Sequence, residues 1–200
     1  TTLGIDHETS SDDRQGYENY VATSSALTLT CGVGGTVCGV KGALRRSETD
    51  KVTSSAPYLQ TEWQGAQWGL SAGLRHSNIR FSVDDRYIAP GNGNDSGGIS
   101  YRRTTPVVAA TYRLTPGINA YASAARGFEA PTLNELFYSG SNGGFSFSLR
   151  PATSTHLETG IKALVGDRSR VEVAVFQAHT EDELVVAAAS GGRTSYKNAG

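Results

Sequence analysis

The chain has 200 residues, 38% of them hydrophobic and 18% charged, with 24 glycines and a formal net charge of −1. Its 18 basic and 19 acidic side chains are spread along the sequence, so no basic face exists for a nucleic-acid backbone. No stretch approaches the roughly 18 consecutive apolar residues of a membrane-spanning helix, which excludes a helical membrane protein.

The sequence begins "TTLGIDHETS" and contains no methionine, and it reads as an internal piece of a longer protein. From Leu3 to Glu8 it has the pattern of a strand, and a long connection from Thr9 to Ala56 follows. That connection carries both cysteines, Cys31 and Cys38, in "CGVGGTVC". The glycines between them let the thiols reach disulfide geometry, and an even count suits an oxidising compartment, so a Cys31–Cys38 disulfide is expected. The alternative is two unrelated free thiols. Zinc is disfavoured because no second Cys or His pair lies nearby.

Pro57–Gln64 reads as the next strand, and the tight turn "GAQ" leads into "QWGLSAGLR". There Trp68, Leu70, Ala72 and Leu74 alternate with Gly69, Ser71, Gly73 and Arg75, giving one apolar face and one small or polar face. Phe81–Ser100 is a second long connection. Its "DDRYIAPGNGNDSGG" offers oxygen donors at Asp84, Asp85, Asn92, Asn94 and Asp95, but their spacing does not match a calcium-wrapping loop, and a solvated loop is expected.

Strands follow at Tyr101–Leu114 and Ile118–Arg126, joined by "LTPGI", before a third long connection from Gly127 to Thr155. One short helical turn is suggested there by "PTLNELF". In "HLETGIKAL", Leu157, Thr159, Ile161 and Ala163 oppose His156, Glu158, Gly160 and Lys162; in "RVEVAVF", Val171, Val173 and Val175 oppose Glu172, Ala174 and Phe176. The turn between them is "LVGDRS", and "HTEDE" (residues 179–183) reads as a polar rim where a strand leaves a bilayer.

Tight turns and long connections therefore take strict turns. That is the habit of a transmembrane β-barrel, whereas a soluble β-sandwich does not usually place all its long loops at alternate junctions. About seven antiparallel strands are expected. Inward residues as polar as Glu158, Lys162 and Glu172 do not suit a small packed barrel, so the arc belongs to a wall of about 22 strands around a plugged lumen.

The stretch "YRLTPGINAYASAARGFEAPTLNELFY" resembles a hairpin and loop base of TonB-dependent outer-membrane receptors, through Arg126, Gly127, Phe128, Pro131, Glu135 and Leu136. "PYLQTEWQGAQWGLSAGLRHS" and "SLRPATSTHLETGIKALVGDRSRVEVAVFQAHTEDELVV" resemble neighbouring segments of the same family, in the same order. Ala152 stands where the family often has an acidic residue, and the segment after Phe128 lacks a further Asn-Pro-Asn-Leu. The resemblance implies a plugged barrel in the outer membrane of a Gram-negative bacterium. It would import a metal chelate, foremost a ferric siderophore, driven by the TonB–ExbB–ExbD energy-coupling complex acting on a plug outside this sequence.

Cobalamin, a copper chelate or a glycan are the alternative cargoes. Haem is disfavoured because no His lies between Phe128 and Leu149, where haem receptors of the family carry one. Phe128 and Pro131 are expected to anchor the loop base. An anionic, often aromatic chelate calls for Arg and Tyr, which offer charge, hydrogen bonds and stacking surface. The candidates are Arg14, Tyr17, Tyr20, Arg80, Tyr87, Arg102, Arg103, Arg126, Phe137 and Tyr138. No catalytic constellation, cofactor or metal site is expected. The rival from another class is a secreted β-sandwich that binds carbohydrate or acts as an adhesin; its apolar faces would be buried in a protein core.

Overall fold

The computed structural model describes every residue except 19, 22–36, 39–40, 137–144, 167, 191–192 and 200. In chain order the elements are β1 (Thr2–Tyr17), β2 (Tyr20–Val21), β3 (Val37–Cys38), β4 (Leu44–Gln64), β5 (Trp68–Asp85), β6 (Gly97–Thr115), β7 (Ile118–Glu129), α1 (Leu133–Leu136), β8 (Ala152–Val165), β9 (Ser169–Glu181), β10 (Leu184–Ser190) and β11 (Arg193–Asn198). Seven of them form one sheet in the order β1-β4-β5-β6-β7-β8-β9, while β2 pairs with β3 and β10 with β11. The expected all-β antiparallel wall of about seven strands is what the chain forms. The expected Cys31–Cys38 disulfide lies outside the described residues, as do Phe137 and Tyr138.

The strands are longer than the sequence pattern suggested. β1 runs on to Tyr17, β4 begins at Leu44, β5 continues to Asp85 and β6 begins at Gly97, all within segments that read as connections. The reason is physical. Where both faces of a strand are polar, as in "LRRSETDKVTSS", alternation of apolar and polar residues disappears, but the backbone ladder does not depend on it.

The chain divides into two compact units: Thr1–Glu8, Thr53–Arg80 and Ser100–Gly200 in the first, Thr9–Val52 and Phe81–Ile99 in the second.

In the first unit the register fixes which residues share a face, because directly opposed residues in adjacent strands lie on the same side. Ile118, Ala120, Ala122 and Ala124 of β7 oppose Ala163, Ile161, Thr159 and Leu157 of β8. Those in turn oppose Val171, Val173, Val175 and Gln177 of β9. Val108, Ala110 and Tyr112 of β6 join the same face through Ala124, Ala122 and Ala120. Trp68 of β5 packs against Tyr112 as a tilted ring pair with centroids 4.7 Å apart, which brings Leu70, Ala72 and Leu74 into line. This apolar face is exposed: Val173 is 65% and Val175 71% accessible.

Tight turns close one end of these hairpins. β6 and β7 are joined through Pro116 and Gly117, and β8 and β9 through a turn in which Gly166 has φ +63°, a left-handed conformation that glycine adopts without penalty. The other end carries the longer connections and the small core of the unit, where Pro131 and Leu136 are fully buried and Tyr101 and Leu149 nearly so. Tyr101 donates its hydroxyl to the Leu149 carbonyl at 2.8 Å. α1 is the expected helical turn, nucleated by a reciprocal cap: the Thr132 hydroxyl accepts from the Glu135 backbone N–H, and the Glu135 carboxylate accepts from the Thr132 N–H at 2.7 Å. Below it, the Asn198 amide of β11 brackets Arg150 and Asp182, and Arg150 and Asp182 form an ion pair at 2.6 Å.

In the second unit, Phe81 and Val83 are buried, and Gly98 lets backbone approach Phe81 closely: a Cβ there would meet the Phe81 carbonyl oxygen at 2.8 Å. The connection from β5 to β6 folds back on Asp85, whose two carboxylate oxygens accept the backbone N–H groups of Tyr87 and Asp95.

Candidate functional site

The face opposite the apolar one carries the chemistry of the first unit. Alternation puts Gly4, Asp6, Tyr58, Gly73, Arg75, Thr105 and Val107 there, together with Tyr121, Glu158, Lys162 and Glu172. Arg75 pairs with Asp6 at 2.6 Å, and its guanidinium lies 6.0 Å from the Tyr58 ring centroid. The Tyr58 ring rests over Gly4, where no side chain would fit. Val107 likewise lies over Gly73, whose Cβ would meet it at 2.9 Å. The resulting cleft, about 530 Å³, is floored by small residues and edged by Asp6, Tyr58, Gln60, Arg75 and Thr105.

Along the same face toward the tight turns, Tyr121 donates to Glu158 at 2.6 Å. Lys162 bonds Glu172 at 2.8 Å and sits 4.9 Å above the Tyr121 ring. A second cleft of about 430 Å³ is acidic, lined by Glu129, Glu135 and Glu183, with His156 held to Ser154 at 2.8 Å.

The second unit has its own ionic cluster. Arg14 bonds Asp50 at 3.1 Å and lies 3.6 Å from Glu48, and Arg46 also reaches Glu48 at 3.6 Å. Asp50 is 1% and Glu48 7% accessible, and each has one oxygen without a hydrogen-bond partner. Burial raises both carboxyl pKa values above the ordinary range, and the mutual repulsion with neighbouring carboxylates adds to it; Arg14 and Arg46 offset only part. On the opposite side of the same strands, Arg86 binds Asp13 at 3.1 Å and Thr49 donates to Asp13.

The candidate residues distribute unevenly. Arg14 and Tyr17 lie in β1, where Tyr17 carries Lys41 3.7 Å over its ring, and Tyr20 lies in β2. Tyr87 stands in the β5–β6 connection. Arg103 falls on the polar face. Arg80, Arg102 and Arg126 fall on the apolar face: Arg102 donates to Asn78 at 3.3 Å, His76 meets Thr104 at 2.8 Å, and Arg126 opposes Thr155. Phe128 opposes Thr153 on that same face, and Pro131 is buried beside it in sequence. Sequence reasoning passed over Asp6, Tyr58, Arg75 and the group Arg46, Glu48 and Asp50. The last three occupy every second position, which is the spacing of one strand face and a usable signal.

A family model described as "TonB dependent receptor-like, beta-barrel" matches residues 1–200. The chain belongs to the TonB-dependent receptor family. Its fold is also similar to that of the copper transporter OprC (17% identity, 98% of this chain and 30% of that one, TM-score 0.62). It resembles the ferric yersiniabactin uptake receptor FyuA from Yersinia pestis (17%, 96% and 26%, TM-score 0.59) and the ferric-catecholate import receptor Fiu from K12 E. coli (17%, 98% and 30%, TM-score 0.58). The chain thus spans less than a third of these receptors' lengths. Members of the family are outer-membrane β-barrels and transport receptors. In a TonB-dependent receptor the exposed apolar face of the first unit meets lipid, and its polar face lines the lumen. The tight turns mark the periplasmic end and the long connections the outer one. Trp63, Trp68 and Tyr112, beside the tight turns, form the inner aromatic girdle.

Proposed function

We propose that the full receptor imports a metal chelate across the outer membrane, foremost a ferric siderophore, driven by the TonB–ExbB–ExbD complex acting through its plug. The observation that carries this reading is the two-sided wall. An exposed apolar face is backed by a lumen face of ion pairs and tyrosines: Asp6–Arg75 with Tyr58, Tyr121–Glu158 and Lys162–Glu172. The cargoes of two receptors of similar fold, ferric yersiniabactin and ferric catecholate, favour iron chelates; OprC keeps a copper chelate as the second reading. The accessibility of Val173 and Val175 counts against a β-sandwich, which would bury them.

Cargo contact is assigned to Arg14, Tyr17, Tyr20, Tyr87 and Arg103, with Phe137 and Tyr138, because Arg and Tyr match an anionic aromatic chelate. The test is uptake by the full-length receptor of labelled ferric siderophores, a copper chelate, haem and cobalamin, with and without TonB. TonB-dependent uptake of one ferric siderophore is expected. Uptake of the copper chelate alone moves the assignment to copper, and uptake of none of them overturns it.

A further inference from the structure

The ionic cluster of the second unit is layered. Arg14 and Arg46 reach solvent, with 27% and 31% of their side chains accessible, while the carboxylates behind them are shut off, Glu48 at 7% and Asp50 at 0%. Alternation builds the layer: Arg46, Glu48 and Asp50 take successive places on one face of β4, and Arg14 reaches them from β1. Asp50 Oδ2 accepts from Arg14 at 3.1 Å, but Asp50 Oδ1 and Glu48 Oε1 have no hydrogen-bond partner among the described residues. Glu48 Oε1 lies 3.6 Å from each guanidinium, beyond hydrogen-bond reach. A buried anionic oxygen without a donor is costly, and a carboxyl escapes that cost by taking up a proton.

The neighbours on all three strands act on the same two groups. β1 supplies Asp12 and Arg14, β4 supplies Arg46, and β5 ends in Asp85; Asp12 repels the charge on Asp50, and Asp85 that on Glu48. Fully ionised, the four carboxylates and two guanidiniums sum to a net charge of −2. An anion arriving from solvent meets the two guanidiniums first, and their pull on it depends on the charge of the carboxylates behind them.

We propose that Glu48 and Asp50 form a proton-binding site that sets how strongly Arg14 and Arg46 attract an anionic chelate. The proposal rests on Arg14 being a cargo contact. At neutral pH the carboxylates cancel the guanidiniums; protons placed on the unpartnered oxygens leave the two arginines with an uncompensated positive charge. The sign is fixed by burial, which is the main cause raising both carboxyl pKa values above the ordinary 4.5 of Glu and 3.8 of Asp. The site therefore fills before exposed carboxylates do, and affinity for an anion rises as pH falls. By linkage, an anion bound at Arg14 draws protons onto the pair by the same factor.

The experiment uses the full-length receptor in detergent and has two readouts. The first needs no cargo: infrared difference spectra between about pH 7.5 and about pH 5.5 should show the carbonyl band of a protonated carboxylic acid, lost in Glu48→Gln/Asp50→Asn. An equal band in the two receptors overturns the proposal. The second is the Kd of an anionic ferric tris-catecholate at the same two pH values. Acidification should improve it about tenfold more in the unaltered receptor than in the double variant, a comparison in which the probe's own titration cancels. An equal pH response in both overturns the proposal, and Glu48→Gln alone, which should lose part of the response, serves where the double variant does not fold. A receptor that binds this chelate at neither pH counts against the cargo reading, and the infrared band then decides the proton site by itself.

Discussion

Arg14 shows how much one side chain can hold in place. It is the hydrogen-bonding partner of Asp50, which is almost wholly buried, and a near neighbour of Glu48. Its replacement by Gln leaves those carboxylates with less compensation, and breaking a buried pair costs about 3–5 kcal/mol where burial is complete. Arg14 itself is partly exposed, so roughly half that is expected, seen as a lowered melting temperature of the full receptor. The double variant Arg14→Gln/Asp50→Asn should recover part of the loss; an additive loss would exclude the coupling. A pH dependence follows from the same pair. Both carboxyl groups have raised folded pKa values, so the charged forms are disfavoured in the native state above those values, and the penalty fades as pH falls toward the ordinary 4.5 of Glu48 and 3.8 of Asp50. Relative to Glu48→Gln/Asp50→Asn, the unaltered receptor should therefore gain stability on acidification from neutral pH. A difference in melting temperature that stays constant with pH would contradict this. Tyr101 is a simpler case: burial pushes its phenol up to about 12, and Tyr101→Phe, by orphaning the Leu149 carbonyl, should destabilise by roughly 1–2 kcal/mol in thermal unfolding.

The strand is the element whose faces decide tolerance to substitution. Arginine at Ile161 or Val173, in the middle of the apolar rungs, should cost about 2–4 kcal/mol, falling to about 0–1 at Thr155 near the interface, measured by reversible folding into bilayers. A flat profile would sink the assignment of this face to lipid. On the lumen side Gly160 is enclosed: a Cβ there would meet the Val173 carbonyl oxygen at 2.5 Å and the Tyr121 ring at 2.8 Å. Gly160→Ala should accordingly lower the yield of folded receptor, while Gly93→Ala, which meets nothing, should not. Legibility in the sequence follows the same division. β7, β8 and the Trp68–Arg75 part of β5 could be read because lipid and lumen impose opposite polarities on alternate residues. The outer parts of β1 and β4 could not, since both faces are polar: one carries the ion-paired cluster of Arg14, Arg46, Glu48 and Asp50, and the other is polar as well. For the same reason the aromatic and Arg inventory found Arg14 and Arg103 but could not tell that Arg80, Arg102 and Arg126 turn the other way; only register supplies that.

At the scale of the molecule, β1 and β9 are the two edges of the seven-stranded sheet. Within a barrel each would pair with a further strand, and without those partners both edges present unpaired backbone groups, which lipid does not tolerate. The 200-residue piece alone should show no cooperative unfolding transition in detergent, and a sharp one by circular dichroism would contradict the wall reading. The dependence is general: most of the wall's apolar surface is covered by lipid, so lateral closure and the bilayer supply what a buried core supplies elsewhere.

β4 carries a consequence for life at the cell surface. Its 21 residues, at about 3.3 Å each, extend roughly 70 Å, against an apolar band of about 25 Å. Much of the strand therefore stands clear of the bilayer, with Lys51 in plain view of a digestive enzyme. A protease needs a stretch of chain that can leave its neighbours and enter the catalytic groove, and a residue laddered on both sides cannot. Trypsin applied to intact cells should cut at Arg86, in the connection after β5, well before it cuts at Lys51, leaving a nicked receptor whose barrel wall stays in one piece.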